Sequence, residues 1–289
     1  MNRRRALVLF AGAGAGVALA ACGGGDSEAT SSSTTSPSSS TTAAGSTTTT
    51  AATGGPGAPP DGGPGGGGGM GGADTASSDD ANAIPNETAG PYPGDGSNGP
   101  DVLLESDIVR SDITSSFGSS TTVAAGVPLT ITLTVIDSDT GDALPGHAVY
   151  LWHCDQEGRY SMYSDGVEGE NYLRGVQEAD EDGKVTFTSI YPAAYAGRWP
   201  HVHFEVYESI DVASSSGAIT ATSQLAFPQD VCETVYATDG YEQSVANLAG
   251  VSLESDGIFS DGHDTQLAAM SGSVSGGYTA ELTVPVTAT

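Results

Sequence analysis

Basic residues are scarce in this chain. Its 289 residues include eight Lys and Arg against thirty-six Asp and Glu, a formal charge of −28 at pH 7. Three of the eight (Arg3, Arg4 and Arg5) stand at the start, so the chain beyond residue 22 keeps five bases and carries −31. Such a polyanion is repelled by nucleic acid and by anionic lipid, so neither is expected as a partner. Long apolar runs are also missing. The longest, Ala6–Ala21, is too short to span a bilayer stably. No long stretch repeats its apolar residues every 3.6 positions, so helices should be few and short. The glycine-rich run 62–72 lacks a preceding strand and a Lys-Ser/Thr ending, which excludes a phosphate loop. Glu178-Ala179-Asp180-Glu181-Asp182-Gly183 starts like a calcium loop. It has Glu at the first position and Ser189 where a bidentate Glu belongs, so it reads as a turn.

What is present falls into three stretches. Residues 1–22 have a charged start, an apolar run of small residues and the ending Leu19-Ala20-Ala21-Cys22, the form of a bacterial lipoprotein signal. Cys22 is then the lipidated residue, and the protein is expected to be exported and held on the outer face of the cell membrane by that lipid alone. Arg4-Arg5-Ala6-Leu7-Val8 leaves both the general and the twin-arginine export routes open. Residues 23–83 are Ser, Thr, Gly, Ala and Pro with almost no large apolar residue. They cannot bury enough surface to offset chain entropy, so a disordered tether is expected. As a coil of about 60 residues it spans roughly 40–45 Å. With Cys22 lipidated, Cys154 and Cys232 remain, and in an oxidising compartment the pair is expected to form a disulfide.

Residues 84–289 suit one all-β domain. Leu129-Thr130-Ile131-Thr132-Leu133-Thr134-Val135 alternates within 128–136, and 137–142 is a turn. Residues 148–152 are apolar and short, 184–188 alternate again, and 201–207 and 277–284 supply further strands. A β-sandwich with few short helices accounts for this punctuation.

The most informative segment is Arg198-Trp199-Pro200-His201-Val202-His203-Phe204. Side chains two apart on a strand share a face, so His201 and His203 point together and can chelate one metal ion. His-x-His also arises by chance, and buried histidines often only hydrogen-bond. The wider pattern adds to it: Glu87-Thr88-Ala89-Gly90-Pro91-Tyr92, then 149–155, then Gly158-Arg159-Tyr160, Arg174-Gly175, Asp180, Gly183, Phe187 and Ile190. Pro192-Ala193-Ala194-Tyr195 and Gln224-Leu225-Ala226-Phe227-Pro228 complete it. This ordered set resembles the intradiol ring-cleavage dioxygenases, the family of catechol and protocatechuate dioxygenases, from about Glu87 to Pro228.

The resemblance implies a β-sandwich of the intradiol type and a non-haem iron(III), Fe(3+), held by Tyr160, Tyr195, His201 and His203. It implies Arg198 beside the substrate with Gln224 as its polar neighbour. The substrates would be a small aromatic diol and dioxygen, the products muconate-type diacids. Tyr195 would be the tyrosine that leaves the metal when substrate binds. Only residues 196–200 separate Tyr195 from His201, a shorter loop than in better-known members, and Tyr191 competes for the second tyrosine position. Tyr163 and Tyr172 are read as packing residues, and His147, His153 and His263 as structural or exposed. No N-terminal helical segment of the kind that joins some members into dimers is visible, so a monomer is expected. Two rival readings stay open: a non-catalytic β-sandwich binding module, and a zinc or copper site on His201 and His203, with His153 as a third ligand.

Overall fold

The computed structural model describes residues 80–288. The signal, Cys22 and the tether up to residue 79 lie outside the described residues. Eight strands form two four-stranded sheets. The first sheet has the order β4-β1-β8-β7, with β1 Pro128–Asp137, β4 Lys184–Ile190, β7 Ala269–Ser273 and β8 Gly277–Val286. The second has the order β3-β2-β5-β6, with β2 Ala148–Trp152, β3 Arg174–Glu178, β5 His201–Tyr207 and β6 Ala221–Ala226. All neighbours pair antiparallel except β1 and β8, which run parallel.

The sheets pack face to face because their sequences supply one apolar face each. On β1, Leu129, Ile131, Leu133 and Val135 are buried while the intervening Thr residues are not. On β8 the same alternation buries Tyr278, Ala280, Leu282, Val284 and Val286. They meet Val149 and Leu151 of β2 and Val202, Phe204 and Val206 of β5 in one continuous core. A buried Phe of this kind stabilises the fold by about 1.5–3 kcal/mol relative to exposure.

The second sheet is buried on its far face too, which gives β2, β5 and β6 their unbroken burial. Val102, Leu103 and Ile108, together with Ala213 of α1 (Ile210–Ala213), cover Tyr150, Trp152 and Tyr207 there. Two further short helices, α2 Gln229–Tyr236 and α3 Glu242–Leu248, follow β6. The β-sandwich with few short helices is therefore the observed fold. The strands expected at 128–136, 148–152, 184–188, 201–207 and 277–284 are present within a few residues. The expected Cys154–Cys232 disulfide is not formed, and both residues are free buried thiols. Cys154 packs in the smaller cluster and donates to the Ala193 carbonyl at 3.7 Å. Cys232 sits on α2 in the main core, 3.2 Å from the Tyr191 hydroxyl. The two sulfurs thus belong to different packing clusters and lack the mutual approach that a bridge requires.

Candidate metal centre

β5 carries its two histidines on the face opposite the core. Val202 and Phe204 point into the sandwich, so His201 and His203 point outward together, as period-two alternation requires. The neighbouring strands fix their register: His203 lies opposite Trp152 of β2 and Gln224 of β6. The Trp152 ring stacks on the His203 ring, with centroids 5.0 Å apart and planes 5° from parallel. On its other side His203 is approached by Gly90, where a Cβ would stand 3.3 Å from the imidazole Cε1. Gly90 also has φ +72, so the segment that closes over the histidine needs glycine on both counts.

Two tyrosines complete the cluster. The 155–159 turn is pinned by Asp155, whose carboxylate accepts from the backbone N–H of Glu157 and Arg159 and from the Arg159 side chain. That turn delivers Tyr160, which is buried. Tyr195 enters from the segment before β5. The Tyr160 and Tyr195 hydroxyls are 3.5 Å apart, Tyr195 Oη lies 3.2 Å from His201 Nε2, and His201 Nε2 lies 3.1 Å from His203 Nε2. Four donor atoms from three places in the sequence thus converge on one point. Tyr191 does not join them. Its ring packs against Phe227, Tyr236 and Tyr278 in the main core, with its hydroxyl on Cys232.

Protonation follows from burial. Both imidazoles are held well below the usual histidine range, first by burial and then by neighbouring positive charge, which is Arg198 for His201. They are therefore neutral. His201 Nδ1 sits 2.6 Å from the Trp199 carbonyl, so it carries the proton and leaves the Nε2 lone pair facing the cluster. Burial pushes both tyrosines above their ordinary value, so each stays a phenol until a cation makes the phenolate favourable. Lone pairs and ionisable phenols turned on one another at 3.1–3.5 Å fit a hard, highly charged metal ion.

Nitrogen, sulfur and carboxylate donors alone do not make a site. Among the described residues, no group of three or more His, Cys, Asp or Glu is arranged to hold a metal. His153, the third ligand of the zinc reading, is occupied: its Nδ1 is 2.7 Å from the Cys154 carbonyl and its Nε2 is 2.7 Å from Ser189 Oγ. Tyr163 accepts from the Gly94 N–H and Tyr172 donates to Asp155, which are packing roles. His147 is half-buried, and His263 bonds the Phe259 carbonyl.

Arg198 stands beside the cluster with Nη1 3.5 Å from His201 Nε2. Its Nη2 donates to Gln224 Oε1 at 2.6 Å, and Gln224 Nε2 donates to the Thr88 carbonyl at 3.0 Å. Its Nε donates to Asp256 Oδ2 at 2.9 Å. Sequence reasoning missed Asp256, which lies in a loop with no periodic signal, and gave no role to Trp152. Arg174, fully buried on β3, stood in the family pattern but was given no role. That guanidinium donates to the carbonyls of Tyr92, Pro93 and Ser161, to Ser161 Oγ and to Tyr150 Oη, and so ties the 92–94 segment down over the site.

The family model described as Dioxygenase matches residues 99–246. The chain belongs to the intradiol ring-cleavage dioxygenase family. Among solved structures, an intradiol ring-cleavage dioxygenase from Tetranychus urticae is 25% identical with a TM-score of 0.56, covering 70% of this chain and 93% of that one. A second solved dioxygenase, 24% identical, has the same TM-score and the same coverage of both chains. In this dioxygenase-family chain the matched residues include Tyr160, Tyr195, His201, His203, Arg198 and Gln224, whereas Asp256 falls beyond the match.

Proposed function

We propose that the chain is an extracytoplasmic non-haem iron(III) dioxygenase that cleaves catechol-type rings between the two hydroxylated carbons, giving muconate-type diacids. The observation that carries the reading is the convergence of the Tyr160 and Tyr195 hydroxyls with the Nε2 atoms of His201 and His203. These four residues would hold the ion. Bound iron(III) supplies the Lewis acidity that ionises the diol and prepares its ring for attack by dioxygen.

The chain's own residues have distinct tasks. Tyr160, buried and fixed by the turn before it, is the permanent oxygen ligand. Tyr195 keeps an exposed edge and would be the one free to swing away, its oxygen, ionised when the ion is bound, taking up a proton from the incoming diol. His201 and His203 stay neutral and stay put, one on the Trp199 carbonyl and the other under Trp152. Arg198 directs its Nη1 toward the reacting oxygens and stabilises negative charge that spreads over the ring, while Gln224 holds the guanidinium in plane. Burial of the donor atoms excludes water, which strengthens each of these interactions.

The placement outside the cell rests on residues 1–22, with Cys22 as the lipid-bearing residue, and residues 23–83 as the tether. The catalytic domain then runs over 84–289. Ile84 supports that boundary, since it is buried in the main core and its N–H donates to the Pro285 carbonyl at 2.8 Å. A monomer acting on a small aromatic diol is the simplest assembly.

The test is a visible spectrum of the iron(III)-loaded full chain, followed by catechol under air. A broad charge-transfer band that moves on catechol addition, with oxygen consumed and a ring-opened diacid formed, is the expected result. A colourless protein that takes up no iron(III) and consumes no oxygen would sink the reading and leave a binding module.

A further inference from the structure

We propose that Asp256 offsets the charge of Arg198 beside the donor cluster, so that the protein selects uncharged catechols against catechols bearing a ring carboxylate. The inference rests on the dioxygenase reading and adds a substrate class and a specificity-determining residue to it.

Asp256 is completely buried, and both its oxygens are used. Oδ2 accepts from Arg198 Nε at 2.9 Å and from the Trp199 backbone N–H at 2.6 Å. Oδ1 accepts from the N–H groups of Ile258 and Phe259 at 2.8 and 3.2 Å. Arg198 is thus locked edge-on to a carboxylate and, through Nη2, to Gln224. What it still offers the site is a directed N–H on Nη1, with its positive charge partly offset by the buried carboxylate.

Among the described residues, no other base is placed to bind a ring carboxylate. Arg174 adds positive charge on the His203 side, but all its donors are spent on buried carbonyl and hydroxyl oxygens, which leaves none to bind a ring carboxylate. Arg110 is bonded to the carbonyls of Ser115, Asn171 and Arg174, and Arg159 is paired with Asp155 and Glu157. Lys184 opens β4, in the other sheet.

Negative charge, in contrast, accumulates. Glu87 feels Arg198, Asp256 and Asp261 together, and its carboxyl accepts from Gln266 Nε2 at 3.3 Å. Burial and then Asp261 push that carboxyl up to about 7, while the Gln266 hydrogen bond and Arg198 pull it back down. A neutral diol meets a hydrogen-bond donor here. A ring carboxylate finds no cation with a free donor and faces Asp256, Asp261 and, above about pH 7, an ionised Glu87; one such like-charge contact is worth about 10-fold in affinity.

The experiment compares kcat/KM for catechol and for 3,4-dihydroxybenzoate in the iron(III)-loaded full chain, at low and high ionic strength. The expected result is a preference for catechol of about 10-fold or more that shrinks with salt. In Asp256→Asn the ratio should move toward the carboxylated substrate by about 10-fold. That change should come mainly through a lower KM for the carboxylate, which a merely structural role would not produce because it would depress both substrates together. Glu87→Gln and Asp261→Asn remove charge without breaking the clamp on Arg198, and they carry the test if Asp256→Asn fails to fold. Equal handling of both substrates by the native protein, or a ratio unmoved in every folded variant, overturns the inference alone. A protein that binds no iron(III) and oxidises neither substrate overturns the dioxygenase reading and this inference with it.

Discussion

Trp152 and His203 stack almost in parallel across two paired strands, their ring centroids 5.0 Å apart. The indole therefore sets the plane of the imidazole before any ion is bound. The Trp152 N–H, however, is buried without a partner, so the indole is kept for its face and not for its polar edge. Trp152→Phe keeps a stacking surface and removes the orphaned donor, and it should be well tolerated. Trp152→Ala should cost about 3–5 kcal/mol in denaturant unfolding. It should also weaken iron binding by about 10- to 100-fold, because an unsupported ligand ring pays for its own ordering. Equal iron affinity in the two variants would show that the stack does not orient His203.

Tyr195 and Tyr191 are four residues apart and lie in different surroundings, one at the donor cluster and one in the core. Tyr195→Phe should lower turnover by about 10²–10⁴-fold through loss of the proton acceptor, while Tyr191→Phe should change stability by about 1 kcal/mol and leave the visible band in place. A spectrum and a rate for each variant decide between them. The reverse pattern would make Tyr191 the ligand.

Arg174 should be indispensable to the fold. Its guanidinium satisfies the carbonyls of Tyr92, Pro93 and Ser161 in a buried setting. Arg174→Met leaves those oxygens unpaired and should destabilise by about 3–5 kcal/mol. Released from its anchor, the 92–94 segment should become accessible to limited proteolysis. A variant as stable as the parent would overturn this account.

The thiols give a direct check on the cysteine pairing. In a Cys22→Ser full chain, titration without reductant should find two thiols after unfolding and none reacting quickly before it, since Cys154 and Cys232 are free and buried. Burial also raises both thiol pKa values, which slows reaction further. Finding no thiol after unfolding would restore the disulfide.

The selectivity of the site should depend on pH through Glu87. Its carboxyl is raised to about 7, facing Asp261, Asp256, Arg198 and Gln266. Below that pH it is neutral, and above it one more negative charge faces the substrate. Discrimination against a ring carboxylate should therefore rise as pH increases through about 7, and Glu87→Gln should flatten the profile. Parallel profiles in parent and variant would remove Glu87 from the account.

Much of the site can be read along the chain because its ligands sit in local patterns. His201 and His203 share a strand face, and Tyr160 and Tyr195 flank short turns, one after 156–158 and the other before 196–198. Asp256 meets Arg198 from a loop 58 residues further on, and no local period announces such a partner. β3 is hidden for a related reason: its buried Arg174 breaks the apolar alternation that marks a strand. β7 is a largely exposed edge of small residues and carries almost no pattern. The cysteine count described the redox surroundings of the chain, whereas bonding is decided by where two side chains point.

β1 has β8 as its parallel neighbour, with Leu129 opposite Tyr278 and Val135 opposite Val284. The central pair of the first sheet therefore joins an early strand to the last one. During synthesis the first sheet cannot close until β8 has left the ribosome, and until then β1 lacks its parallel neighbour. Such late, long-range closure makes folding slow and leaves the nascent chain dependent on protection from aggregation. Removing β8 should cost the whole domain, not merely its edge.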